Sequence, residues 1–362
     1  VLSPHEARLG AAPAIFDMDI GTDPDDTCVA AMLAARPARF QPALLVTSDE
    51  THEQGRARFL AGLLRAAGVD LPVAAGLPSL RRRASCLVEE AGLARDDVPF
   101  SRDAVGEIVR VLDTHPRVDY VGLGPLTNLD AALLRRPDLA ARVRLFQMGP
   151  ALAGAYRREA AQYNARLDPG AFARVLGQVE APRLLFSHSS WGSFGEGMRQ
   201  KLGVYPDDPL AGALRKAHPA ARMFVRHLEA WVETGKDCSI MHDPLTVLSA
   251  ALPGLVDFEE VSLVLREDGW VALTEAAHGA LGARAPARGK VIAGVLAGPW
   301  APVEGRTIEA RMSLDTDDEA ARRAIAEALL GEEGARVAEA WGTWNRGGGT
   351  SMTGERGSIS KA

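Results

Sequence analysis

The chain has 362 residues, 47% of them apolar, which is enough to bury a sizeable core in one large α/β domain or two ordinary ones. Its 41 basic and 47 acidic residues give a formal net charge of −6 with no basic patch or tail, which argues against nucleic acid as a partner. No window approaches a membrane span and Val1–Gly10 lacks the charged and apolar regions of a signal peptide, while Cys28, Cys86 and Cys238 are too few and too scattered for a disulfide framework or a thiolate zinc site. A reducing cytoplasm is the expected compartment.

In chain order, Ala14-Ile15-Phe16 reads as a strand leading into an acidic loop, and Thr27–Ala35 as a helix stopped near Pro37. Ala43–Val46 is a buried strand and Gln54–Ala67 a helix. Val118–Leu123 is a strand, Leu126–Leu134 a helix, and Val143–Met148 and Leu184–Phe186 are further strands. These runs are short and rarely alternate polar with apolar residues, as in strands covered on both faces. The expected fold is an open, doubly wound, mostly parallel α/β sheet in a single domain over residues 11–345. Pro209–Thr234 reads as one long helix, Val261–Leu265 and Trp270–Leu273 as a hairpin around Glu267-Asp268-Gly269, and Thr316–Trp341 as a final helix. From residue 346 the chain turns polar and rich in Gly and Ser, and is expected to be a disordered tail.

The loop after the first strand concentrates charge. Asp17, Asp19, Asp23, Asp25 and Asp26 fall within ten residues, at the strand end where open α/β sheets place their ligands. Asp17 and Asp19 share one face of a strand, while Asp25 and Asp26 open the next helix, where the backbone stabilises carboxylates. Helix capping accounts for Asp25 and Asp26 but not for Asp17 and Asp19. Carboxylates this close repel unless a cation or protons neutralise them. An all-oxygen donor set suits calcium or magnesium.

Three other segments are plain when taken singly. His242-Asp243-Pro244-Leu245 is a capped helix start with an incidental histidine. Gly124-Pro125-Leu126-Thr127-Asn128 is a turn into a helix, and Gln162-Tyr163-Asn164 followed by Asp168-Pro169 is unremarkable. In this order, with the acidic loop and the Met148-Gly149 strand end, they resemble the inosine–uridine-preferring nucleoside hydrolase family over about residues 13–255.

The resemblance implies hydrolysis of the N-glycosidic bond of a small-molecule nucleoside or related N-riboside by a calcium-dependent homodimer or homotetramer. It implies that Asp19, Asp26, Asp243 and the main-chain carbonyl of Leu123 hold the ion, and that Asp25 and Asn164 contact ribose hydroxyls with Met148 lining that pocket. His242 then stands near the leaving base. Three carboxylates and a carbonyl leave positions open on a metal that takes roughly 6–8 oxygens, enough for a vicinal diol and a water. Asp19, touching metal and water, is the expected general base, attack opposite the base implies inversion, and Asp17 sits behind, orienting the loop.

The chain departs from the family pattern in places. Glu50 stands where the family has Asn, and Gln162 stands where it often has Glu, so both are expected beside the sugar. Val98–Arg102 and Ala151–Arg158 replace polar base-side segments. His188, His227, Trp191 and Trp231 are candidates for the leaving-group side, and Arg81-Arg82-Arg83 reads as a solvated loop able to hold an anionic substituent. Two alternatives remain at this level. One is a magnesium-dependent phosphatase of the haloacid-dehalogenase type with Asp17 as nucleophile, although Ile20 interrupts that motif. The other is a ribose-binding relative without turnover.

Overall fold

A computed structural model describes residues 12–78, 86–93, 98–152, 161–192, 199–283 and 304–347. Strand β1 (Ala14–Met18) is wholly buried. Its side chains alternate between the two sheet faces: Ile15 packs with Leu44, Tyr120 and Leu145 on one side, while Phe16 and Met18 join Val29, Leu33 and Phe224 on the other. Each face carries its own apolar layer, so the sheet is covered on both sides, as the runs of unbroken apolar residues predict.

Parallel partners flank β1: β2 (Pro42–Thr47) and then β3 (Val73–Ala74) on one side, and β4 (Val118–Gly122), β5 (Val143–Met148) and β6 (Arg183–Leu185) on the other. The two-residue strands β7 (Gly203–Val204) and β8 (Ser239–Ile240) pair apart from this sheet. β9 (Val256–Leu265), β10 (Val271–Leu273) and β11 (Arg306–Thr316) complete a nine-stranded sheet in the order β10-β9-β11-β6-β5-β4-β1-β2-β3. The chain leaves β1 toward β2 and β3 and returns to lay β4 on the opposite side. A crevice therefore opens beyond the carboxyl ends of β1 and β4, the place where doubly wound sheets bind ligands.

Helix α1 (Asp25–Ala35) is buried almost throughout, as its lack of a polar face requires. Helix α2 (Gly55–Ala66) follows β2, α3 (Ala104–Thr114) precedes β4, and α4 (Thr127–Arg135) follows it. Helices α5 (Tyr163–Leu167) and α6 (Pro169–Leu176) lie between β5 and β6.

Two expected helices are each divided. Pro209–Thr234 is not one helix but α7 (Pro209–Leu214) and α8 (Pro219–Glu233). The residue before a proline is driven out of the helical region; His218 is extended at φ −64°, ψ 162° and turns its ring to cap the amide of Ala221. After α9 (His242–Ala251) and α10 (Glu275–Gly282), the expected helix Thr316–Trp341 proves to be the end of β11, then α11 (Asp318–Leu330) and α12 (Gly334–Arg346). Asp317 caps α11, and Gly331 at φ 69° ends it. The hairpin is present, with its first strand extended back to Val256. Strand β11, unforeseen in the sequence, buries Ile308, Ala310, Met312 and Leu314 in alternation and pairs with both β9 and β6. Of the tail expected from residue 346, Arg346 instead closes α12; the rest from Gly348, the arginine run at 81–83 and residues 153–158 lie outside the described residues.

Candidate active site

The acidic loop leaves β1 beside the end of β4, and the two are tied together. The amide of Leu123 donates to the Asp17 carbonyl at 2.7 Å. Gly124 lies so close to Asp19 that a β-carbon there would stand 3.2 Å from the Asp19 Cβ and 2.2 Å from Ser48 Oγ. The Gly in Gly124-Pro125 is thus what lets the β4 end approach the acidic loop.

Asp25 and Asp26 form the first turn of α1, and Asp243 that of α9. These three buried carboxylates each present an oxygen within 4.8 Å of the others. The backbone amides of Asp26 and Asp243 donate to Asp25 Oδ1 and Oδ2 at 3.2 and 3.4 Å, and Asp26 and Asp243 share a carboxyl hydrogen bond. Burial, followed by mutual repulsion, raises all three well above the ordinary carboxylate range. Asp19 faces the same cavity, and burial pushes its carboxyl up to about 6. Asp26 Oδ1 is buried without a hydrogen-bond partner. A clustered, desolvated carboxylate set with an unpaired oxygen fits a hard divalent cation, because it relieves the repulsion and supplies the missing partner.

The cavity is about 430 Å³ in volume, within the range of small-molecule sites. Asp19, Asp25, Asp26, Asp243 and His242 line one side, with Leu123, Met148, Gln162 and Asn164 completing the expected set. Asn164 Nδ2 donates to the Leu123 carbonyl at 2.5 Å, so the expected main-chain ligand and the expected ribose contact are adjacent. Gln162 caps its own helix, its Oε1 accepting from the Asn164 and Ala165 amides at 2.8 and 3.4 Å, while its Nε2 meets Met148 Sδ. His242 Nδ1 bonds Ser190 Oγ, and burial lowers its imidazole to about 4.

Glu50 lies elsewhere. Its carboxylate accepts from Thr47 Oγ1 at 2.6 Å and from the Thr51, Arg56 and Ala57 amides at 2.8, 3.1 and 3.0 Å, which makes it the cap of α2 and not a cavity wall. Asp17 is behind the loop, as expected: Tyr120 and Asn128 donate to it, and burial raises it to about 7. That enclosure removes it as a phosphatase nucleophile.

Among the aromatic and histidine candidates, only Trp231 reaches the cavity. His227 bonds Thr27 Oγ1 at 2.8 Å and donates from Nε2 to the Thr22 carbonyl at 3.2 Å, fastening α8 to the acidic loop. His188 Nε2 donates to the Ser313 carbonyl at 3.0 Å, and Trp191 is 43% exposed outside the cavity.

Several residues carry roles that no motif announces. Arg56, 1% exposed, donates to the carbonyls of Asp19, Ile20 and Asp49 and pairs with Asp49 at 3.4 Å, bracing the loop with a buried cation. Asp23 lines the cavity and accepts from Ser239. Tyr163, Arg166 and Lys236 also line it.

The fold and site together define an α/β protein with a carboxylate cluster, able to hold a divalent cation, at the switch point of its doubly wound sheet. The chain belongs to the inosine-uridine preferring nucleoside hydrolase family, whose model matches residues 14–340. It is therefore a hydrolase acting on N-glycosyl compounds. Its fold is similar to that of a plant nucleoside hydrolase, the PpNRh1 enzyme (20% identity, TM-score 0.64, 88% of this chain and 98% of that one). It is also similar to an inosine-uridine preferring nucleoside hydrolase from Bacillus anthracis (15%, 0.59, 88% and 99%) and to a purine-preferring ribonucleoside hydrolase from Gardnerella vaginalis (15%, 0.61, 90% and 99%). No protein of curated function matches the chain in sequence.

Proposed function

We propose that the chain hydrolyses the N-glycosidic bond of a ribonucleoside or related N-riboside with calcium as its cation, giving ribose and the free base. The observation that carries this reading is the convergence of Asp25, Asp26 and Asp243 within 4.8 Å, in a cavity whose other wall holds the Asn164 amide against the Leu123 carbonyl. Asp19, Asp26, Asp243 and that carbonyl are the proposed ligands. The bound cation would supply Lewis acidity that lowers the pKa of a water.

The protein's own groups do the rest. Asp25 is held by two backbone amides and accepts from the ribose hydroxyls together with Asn164. Fixing the sugar in this way aligns C1′ with the water. Asp19 takes the water's proton as the C1′–O bond forms and the C1′–N bond breaks, through an oxocarbenium-like state. His242, oriented by Ser190 at Nδ1, donates a hydrogen bond from Nε2 to the departing base; the base takes up a proton from solvent and Asp19 later returns the water's proton to solvent, so the protons balance. Entry of water opposite the base inverts the anomeric centre.

The test is ribose release from a panel of purine, pyrimidine and nicotinamide ribosides. Wild type releases ribose from at least one member. Asp26→Asn and Asp243→Asn lose at least about a hundredfold of that activity. A panel with no ribose released would contradict the proposal.

A further inference from the structure

The cavity is electrically divided. Its carboxylates come from the acidic loop and from the start of α9, whereas the wall built by α5 offers two amides, Gln162 and Asn164, and one cation, Arg166. Arg166 follows Gln162 by four residues, one helical turn along the same face.

The second cation at the cavity, Lys236, already has work. Its charge favours ionisation of Asp23, and its ammonium lies 5.4 Å from the centroid of Trp231. Arg166 has no anionic partner: among the described residues its side chain forms no ion pair and donates no hydrogen bond, its one contact being the Tyr163 ring. Arg166 is half-buried, and its guanidinium stands 5.7 Å from the ring centroid of Tyr163. Several other arginines are already engaged: Arg110, Arg136, Arg174, Arg215 and Arg266 each meet a carboxylate at 3.3 Å or less. A guanidinium that faces a binding cavity, seated beside an aromatic ring, keeps its planar fork available for a bidentate anion.

We infer that the favoured riboside carries an anionic substituent, a phosphate or a carboxylate, which Arg166 binds at the α5 wall. Five carboxylates line the remainder of the site, so only the α5 side tolerates a negative group. The charge therefore also fixes which way round the substrate lies. The inference rests on the proposed riboside chemistry and deepens it.

Phosphate on the sugar and carboxylate on the base are separated by comparing uridine with uridine 5′-monophosphate and with orotidine, using the full chain with calcium. Wild type is expected to favour one of the anionic compounds over uridine in kcat/KM by about tenfold or more. Arg166→Gln collapses that ratio, and Arg166→Lys restores part of it. Preference for uridine over both anionic compounds, or a ratio unmoved in Arg166→Gln, would overturn the inference. If none of the three is hydrolysed, the full riboside panel decides the hydrolase reading, and calorimetric binding of the same three compounds decides this one. Tighter binding of an anionic compound that is lost in Arg166→Gln supports it; equal binding, or none, overturns it.

Discussion

At the scale of the residue, the acidic loop divides by environment. Asp25, Asp26 and Asp243 meet in a buried carboxylate cluster, Asp19 faces the same cavity, and Asp17 is sealed behind with Tyr120 and Asn128. Burial and mutual repulsion raise these carboxyls, Asp19 to about 6, so protons would compete with a cation. Calcium affinity, followed by calorimetry, should fall as pH drops below about 6, because each raised carboxyl must lose a proton to bind. His188 gives a separate pH test. Burial lowers it from 6.5 to about 4, so the folded protein resists a proton that the unfolded chain accepts. Its contribution to stability is complete above pH 6.5 and declines as pH falls toward 4. His188→Gln should therefore show a shallower fall in Tm than wild type between about pH 7 and about pH 5; an identical slope would contradict the assignment. The motif residues were legible because fixed types at fixed order carry the chemistry. Arg56 was not, because a single buried arginine on an ordinary helix has no local signature; only the fold shows that it faces three loop carbonyls.

At the scale of the element, Glu50 shows how a plausible alignment misplaces a side chain. Its position after β2 suggested the sugar, yet α2 begins with free amides that need an acceptor, and Glu50 supplies it to Arg56 and Ala57. Glu50→Ala should cost about 1–3 kcal/mol of stability, read as a lower denaturant midpoint. A variant with unaltered midpoint and a raised KM would return Glu50 to the substrate. The same local logic explains where elements were legible. Strands β1, β2, β4, β5 and β6 were visible as short apolar runs, since both sheet faces are covered. Strand β11 was hidden because Arg, Glu and Asp fill its outward positions and its inward residues include Ala310 and Met312. The break at His218-Pro219 is masked in the sequence by apolar periodicity that continues across it, although the proline marks it directly.

At the scale of the whole molecule, one sheet brings together segments more than two hundred residues apart in sequence, with Asp25 and Asp26 from its first crossover and Asp243 from a later helix. The family's motifs announced this meeting in advance, while the leaving-group side did not follow from them. Of the four aromatic and histidine candidates, three lie away from the cavity, and Arg166, unlike its neighbours Gln162 and Asn164, carried no motif. Because the cluster assembles only in the folded chain, the proposed cation would be a folding ligand. Calcium at 100 times its Kd should stabilise the protein by about 2.7 kcal/mol, seen as a rise in Tm over chelator-treated protein that Asp26→Asn lacks.

The most direct measurement titrates calcium calorimetrically into chelator-stripped protein and follows ribose release on the same samples. The account predicts one saturable binding event, with ribose release restored in step with occupancy, and loss of both in Asp26→Asn. Ribose release that persists in the stripped protein without calcium binding would contradict it.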